Sequence, residues 1–220
     1  MPILNINKPT GITSHDVVDK VRKITGERRV GHAGTLDPFA EGVLVVGVGR
    51  ESTKQLGDIS KNSEKEYIAT LELGKTSTTG DPEGDIQNTG SKGFVNGIKQ
   101  NQIVQALKQF KGEIEQVPPA YSAIKIGGEP AYKKARRGEK FILPKRKVRI
   151  YEIKLLEWKP PFLKIRVVCS SGTYIRTLAE DIGKVLSTGA YLTKLLRTRV
   201  GSFNIAESKT IEELGKKHLV

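Results

Sequence analysis

The chain has 220 residues, with 37 basic against 24 acidic side chains and a net charge of +13 with histidine neutral. A chain of this length buries a core without a disulfide or metal staple, and 37% hydrophobic with 28% charged residues excludes a disordered chain. A single cysteine, Cys169, excludes an internal disulfide framework and a cysteine-based zinc site.

The start, Met1-Pro2-Ile3-Leu4-Asn5, lacks a basic region followed by an apolar stretch, so no signal peptide is expected. No apolar run approaches the ~18 residues of a membrane span. Ile3–Asn7 predicts a short strand ending at the turn Lys8-Pro9-Thr10-Gly11. Ser14 is a candidate cap for a helix to about Thr25, with Val17, Val21 and Ile24 on one stripe. Gly31–Gly42 predicts a loop punctuated by Gly and Pro, and Val43–Val48 a buried strand. Lys65–Leu73 alternates, with Tyr67, Ala69, Leu71 and Leu73 on one face. Thr76–Gly97 is polar and Gly-rich and predicts loop. Asn101 is a candidate cap for a helix carrying Ile103, Leu107 and Phe110. Val148–Trp158 and Leu163–Cys169 predict two strands, and Cys169 shares a core face with Leu163, Ile165 and Val167. Thr177–Leu186 has helical spacing, Ala190–Arg197 fits a further short helix, and Thr210 with Glu213 makes a capping box for a last helix. Strands and helices in irregular order predict an α+β fold with a mixed or antiparallel sheet.

The charge is uneven. Residues 1–110 carry 14 basic and 13 acidic side chains, whereas 111–220 carry 23 and 11. Ten basic residues fall in Tyr121–Ile150 against Glu129 and Glu139, a net of +8. Such a cluster is a footprint for a polyanion, of which nucleic acid is the commonest; a solvated surface loop is the plainer reading.

Two familiar signatures fail. Gly74-Lys75-Thr76 resembles the end of a P-loop, but Ala69 stands where the first glycine is needed. Gly47-Val48-Gly49 opens like a dinucleotide fingerprint, but Ser52 replaces its third glycine. His15, His32 and His218 have no metal-ligand spacing, so no metal is expected.

Three segments can carry chemistry. In Gly31-His32-Ala33-Gly34-Thr35-Leu36-Asp37-Pro38, glycines permit close approach and Pro38 biases Asp37 toward an extended backbone. The loop can present one carboxylate beside a histidine, and an ordinary Asx turn at Asp37 fits equally well. Ser171–Thr177 lies at a strand-to-helix junction, where Arg176 can orient a carboxylate or form a surface ion pair. Lys65-Glu66-Tyr67 opens a strand with an aromatic that can stack on a base, move a proton or fill the core.

Together these segments closely resemble the TruB family of tRNA pseudouridine synthases over nearly the whole chain and in the family's order. Asn7-Lys8-Pro9-Thr10-Gly11-Ile12-Thr13-Ser14 is similar to its N-terminal motif. Gly31–Pro38 is similar to its catalytic loop, Lys65-Glu66-Tyr67 to its tyrosine motif and Gly172-Thr173-Tyr174-Ile175-Arg176 to its C-terminal catalytic motif. Pro118-Pro119-Ala120-Tyr121-Ser122-Ala123-Ile124-Lys125 opens what resembles its RNA-gripping insertion, at about 118–147.

The resemblance implies the pseudouridine synthase catalytic fold: a central sheet flanked by helices in a single domain over 1–220. It implies isomerisation of the T-loop uridine at position 55 of tRNA, with base flipping and without cofactor or metal. Asp37 matches the catalytic aspartate, Arg176 the arginine that pairs with it, and Tyr67 the tyrosine that stacks on uracil and can take the proton from C5. Tyr174 matches a pocket aromatic, His32 a histidine holding the rearranged loop, Lys8 and Pro9 the pocket border, and Leu195 an apolar wall. Lys125, Lys133, Lys134, Arg136, Arg137, Lys145, Arg146 and Lys147 would contact RNA phosphates. The resemblance departs from the family at its end, since the PUA-type RNA-binding domain usual there is not visible before Val220. A cytoplasmic monomer on the T-arm, with no membrane and no obligate protein partner, is expected. The alternatives are the catalytic subunit of a guide-RNA-directed complex and an RNA-binding or tRNA-folding protein.

Overall fold

The structure is a computed structural model and describes residues 2–90, 92–122 and 124–216; Ala123 and His218 lie outside them. In chain order the elements begin with β1 (Ile3–Lys8), α1 (Ser14–Thr25), β2 (Val30–Ala33), β3 (Glu41–Val48), α2 (Gly49–Asn62) and β4 (Lys65–Leu73). A short hairpin of β5 (Lys75–Ser77) and β6 (Ile86–Asn88) leads to α3 (Lys92–Gly97), α4 (Gln100–Lys108) and β7 (Gly112–Gln116). The basic window holds β8 (Lys125–Ile126), β9 (Glu129–Pro130) and α5 (Ala131–Arg136). The chain continues through β10 (Arg146–Lys159), β11 (Phe162–Cys169), α6 (Ile175–Val185), β12 (Ala190–Val200), β13 (Phe203–Asn204), a 3-10 turn and α7 (Ile211–Lys216). The main sheet has the order β1-β3-β12-β4-β11-β10-β7, with β2 on β3 and β13 on β12. The pairings of β1 and β2 with β3 are antiparallel and that of β12 with β3 is parallel, so the sheet is mixed. The α+β class expected from the sequence is the one found. Among the described residues no helix is long and apolar enough to cross a membrane.

The contacts divide the chain into two compact units. The first comprises Met1–Ile68, Val168–Ser171 and Lys194–Val220, and the second Ala69–Val167 and Gly172–Thr193. In the first, β3 is covered on both faces, which explains its unbroken apolar run. Leu44, Val46 and Val48 pack with Val17, Val18 and Val21 of α1, while Val43 and Val45 pack with Leu56 of α2. Each such fully buried side chain stabilises the fold by ~1.5–3 kcal/mol. Thr13, one residue before the expected cap, closes α1 in a capping box with Asp16. Ser14 has another task, described below.

In the second unit, β7 pairs antiparallel with β10 from Arg146↔Gln116 to Ile150↔Gly112. The helix α6 buries Ile175, Leu178, Ala179 and Ile182 and begins two residues earlier than its apolar spacing suggested. Cys169 is fully buried, as its strand face required.

Five expectations change. Ala190–Arg197 is strand, not helix: Leu192, Leu195 and Arg197 are buried with β12 in the sheet, and leucines spaced three apart fit either period in so short a run. Gly31–Ala33 of the expected Gly31–Gly42 loop belong to β2, paired to β3 through Ala33↔Val45, and Glu41–Gly42 begin β3. The helix α2 was not expected, because only Gly49, Ser52 and Leu56 of its 14 residues are buried. Thr76–Gly97 contains the β5–β6 hairpin and α3, and Asn101 lies inside α4, whose cap is Lys99.

Candidate active site

The Asp37 loop is held by backbone and by two buried cations of the first unit. Lys8 is fully buried, and its ammonium donates to the carbonyls of Pro9 (2.8 Å), Ile12 (2.7 Å) and Pro38 (3.2 Å). The Gly11 N–H donates to the Pro38 carbonyl as well, at 2.8 Å. Ser14 Oγ bonds Leu36 twice, donating to its carbonyl at 2.9 Å and accepting from its N–H at 2.8 Å. The other side is tied by Arg197, 1% exposed, whose guanidinium donates to the carbonyls of Val43 (2.7 Å), Gly34 (3.0 Å) and Thr35 (3.4 Å). Lys8 therefore anchors the loop by its ammonium, while Pro9 beside it is exposed.

Tyr67 stands on the buried face of β4 at 6% exposure. Burial raises the pKa of its hydroxyl; Arg197 opposes the rise by charge and a hydrogen bond, while Cys169 and the Asp37 carboxylate add to it. The phenol is therefore neutral at physiological pH and lies within electrostatic reach of Asp37. His32 is pushed down by burial and then by Arg197, so its ring is neutral too, and its buried Nδ1 has no partner among the described residues. Lys65 donates to the carbonyls of Ser60 (3.0 Å) and Ser63 (3.3 Å), and burial with the Arg197 charge lowers its pKa to about 8. His32, Lys65 and Tyr67 thus all feel the Arg197 charge, Arg197 holds the loop that carries Asp37, and Tyr67 feels the Asp37 carboxylate. Leu195, two residues before it on β12, is buried at 6% exposure.

The second unit holds Arg176, Tyr174 and the basic window. Arg176, 5% exposed, pairs with Asp81, 3% exposed, at 3.1 Å. Its guanidinium also donates to the carbonyls of Thr79 (3.0 Å) and Tyr121 (2.8 Å). It thereby ties α6 to the Pro118–Lys125 motif. Tyr174, the N-cap of α6, is gripped at both backbone groups by the buried Gln116: its N–H donates to Oε1 at 3.0 Å, and its carbonyl accepts from Nε2 at 3.2 Å.

Sequence reasoning missed Asp81, Gln116, Arg197 and the loop-holding role of Ser14. Arg197 had a visible signal, a charge inside an apolar run that alternates once it is read as strand. Asp81 had none, since it lies in a polar segment rich in acids and glycine.

The basic window is partly paired, with its own Glu129 and Glu139 and with Glu113 and Glu115 of β7. Arg137 meets Glu129 at 2.7 Å and Glu139 at 2.6 Å, Lys134 meets Glu139 at 3.1 Å, Lys145 meets Glu115 at 3.4 Å and Lys147 meets Glu113 at 2.9 Å. Arg136 lies over the Tyr132 ring, 5.6 Å from its centroid. Lys125, Lys133, Lys140 and Arg146 have no ion pair among the described residues.

Residues 22–175 match the family model described as TruB family pseudouridylate synthase, N-terminal domain. Residues 176–220 match that of the tRNA pseudouridylate synthase B C-terminal domain. A tRNA pseudouridine synthase B of Mycobacterium sp. (strain KMS) is 49% identical over 216 residues, covering 96% of this chain and 71% of the relative. The protein of that name from Clostridium kluyveri is 45% identical, covering 99% and 73%. Among solved structures, a chain of a Cbf5-Nop10-Gar1 complex superposes with a TM-score of 0.75 at 32% identity, over 97% of this chain and 53% of that one. This chain thus spans about half the length of that solved neighbour.

Proposed function

This chain belongs to the TruB family of pseudouridylate synthases, and on that premise we propose that it isomerises uridine to pseudouridine in tRNA, acting on the T-loop uridine at position 55. The observation that carries the reading is the cluster around Arg197: a carboxylate on a loop held by carbonyl contacts, within reach of a buried neutral tyrosine. The curated relatives at 45–49% identity are tRNA enzymes by name, which favours tRNA over a guide-directed substrate.

The target base leaves its stack at a cost of a few kcal/mol. Stacking on Tyr67 returns ~1–3 kcal/mol. Asp37 acts on the flipped nucleotide as nucleophile or base, and a loop held this firmly spends little reorganisation in reaching the sugar. The glycosidic bond breaks, the uracil turns, and C5 joins C1′. The proton then leaves C5. Tyr67 relays it: the phenol oxygen takes the proton from C5 as its own O–H proton passes to water, so the phenol ends neutral, and the Arg197 charge stabilises the negative charge that develops on the oxygen in transit. Arg176 completes the catalytic set, and His32, Tyr174, Pro9 and Leu195 border the base. The enzyme works as a cytoplasmic monomer, without metal or cofactor.

Tritium release from C5-labelled uridine in a T-arm stem-loop, with no guide RNA, tests the activity. Release is expected from wild type and none from Asp37→Asn, whose RNA affinity stays within a few fold. Turnover by Asp37→Asn would remove Asp37 from its role.

A further inference from the structure

We propose that a cationic groove on the first unit, built by Arg29, Arg50 and Lys54, is a second binding site for the sugar–phosphate backbone of the RNA. The proposal rests on the reading of tRNA as substrate and adds a surface outside the basic insertion.

The groove encloses about 500 Å³ and is lined by Arg29, His32, Arg50, Thr53 and Lys54 among others, with no carboxylate in its wall. Its cations come from separate segments. Arg29 precedes β2, and Arg50 follows β3 in the first turn of α2. The β2–β3 register pairs Val30 with Val48, and the Gly49 N–H donates to the Arg29 carbonyl at 2.7 Å. Arg29 and Arg50 therefore leave the ladder at the same end. Lys54 lies four residues beyond Arg50, on the same face of α2. Gly31 forms the floor, where a Cβ would lie 3.2 Å from Leu56 Cδ1.

Neither guanidinium has a hydrogen bond or ion pair among the described residues. Lys54 meets Glu51 at 3.1 Å, but both side chains are mostly exposed. Such a pair is worth ~0–1 kcal/mol and is exchanged readily for a phosphate. Val48 offers no side-chain cap to α2, so the positive end of that helix adds to the field. Three like charges on one groove repel each other in the free protein, and an anion removes that repulsion. The forked guanidinium matches phosphate oxygens in geometry. RNA supplies phosphates at every nucleotide, so the contact would position the RNA without reading its sequence.

The test compares two triple variants for binding to the T-arm stem-loop and to full tRNA across a salt series. One is Arg29→Ala with Arg50→Ala and Lys54→Ala. The other removes three exposed charges of the same unit outside the groove, as Lys20→Ala with Lys23→Ala and Lys61→Ala. The groove variant is expected to lose about two to three from the slope of log K against log salt. It should bind at least about tenfold more weakly at 0.1 M salt, with kcat at saturating RNA within about twofold of wild type and an unchanged far-UV spectrum. The control should lose less than about one from the slope. An unchanged slope in the groove variant would assign the groove to another anion, such as an acidic protein, and overturn the proposal. An equal loss in the control would also overturn it, by making the effect one of net charge. Wild-type turnover is measured in parallel: an inert wild type defeats the reading of function, while the slopes still decide the groove.

Discussion

Arg176 and Asp81 are both almost fully buried and form an ion pair at 3.1 Å. Removing one partner of a buried pair leaves an uncompensated ion and costs ~3–5 kcal/mol. Asp81→Ala is therefore expected to lower the urea midpoint strongly, whereas the double change Asp81→Leu with Arg176→Met should lose much less stability. Both should lose tritium release. Comparable destabilisation by the two would show that the ionic pairing itself is not what holds the site. Lys65 makes a pH-dependent prediction. Its folded pKa is about 8, against 10.5 for the ordinary side chain. Below about 8 both folded and unfolded states hold the proton, and the cost of burying the charge is fully present. Between about 8 and 10.5 the unfolded state binds more protons, so stability rises with pH, by up to ~1.4 kcal/mol per unit. Denaturant midpoints across that range should climb in the wild type and should not show this climb in Lys65→Met.

At the scale of elements, the contact of β3 with β12 depends on one glycine. Gly42 sits at φ 109°, and a Cβ there would lie 2.3 Å from the Arg197 carbonyl oxygen and 2.9 Å from its nitrogen. These are backbone atoms that have no side-chain rotamer to give way. Gly42→Ala should displace Arg197 from the Asp37 loop and lower Tm by roughly 10 °C or more, at ~2–4 °C per kcal/mol for a chain of this size. A variant with wild-type Tm and turnover would show that the parallel pairing is not as tight as described. The same strands mark the limits of periodicity. Lys65–Leu73 could be read directly because one face is uniformly buried and the other is not. β12 could not, since Arg197 is buried with the leucines and charge is normally taken as a surface signal. For α2 the obstacle was the reverse, a nearly all-polar helix held to β3 by little more than Leu56.

For the whole molecule, the count of charge along the chain and the distribution of available charge differ. The window Tyr121–Ile150 holds ten basic residues, yet Arg137, Lys134, Lys145 and Lys147 meet carboxylates. Lys125, Lys133, Lys140 and Arg146 have no ion pair among the described residues. Reversing Lys125, Lys133 and Arg146 to Glu should reduce the salt slope of RNA binding by about two to three with kcat retained at saturation. Arg137→Ala should instead loosen α5 and β9, seen as faster amide exchange there, because it removes the closest ion-pair partner of both Glu129 and Glu139 and leaves only Lys134 between them. Unchanged exchange would make Arg137 a phosphate ligand first and a structural tie second.

Asp37, Tyr67, Arg176 and the insertion were legible as candidates through motifs that resemble the family's, because such motifs are local in sequence: a carboxylate before proline, an aromatic opening a strand, an arginine opening a helix. What compensates those groups is not local. Arg197 reaches the Asp37 loop across 163 positions of sequence, to Gly34, and Arg176 reaches Asp81 across 95. Arg29 and Arg50 share a groove through a β-ladder that no charge count along the chain could register. A buried charge takes its partner from whatever the fold packs beside it, and a phosphate groove is defined by which cations are left without one. Both are properties of packing, and they came into view only with the strands in register.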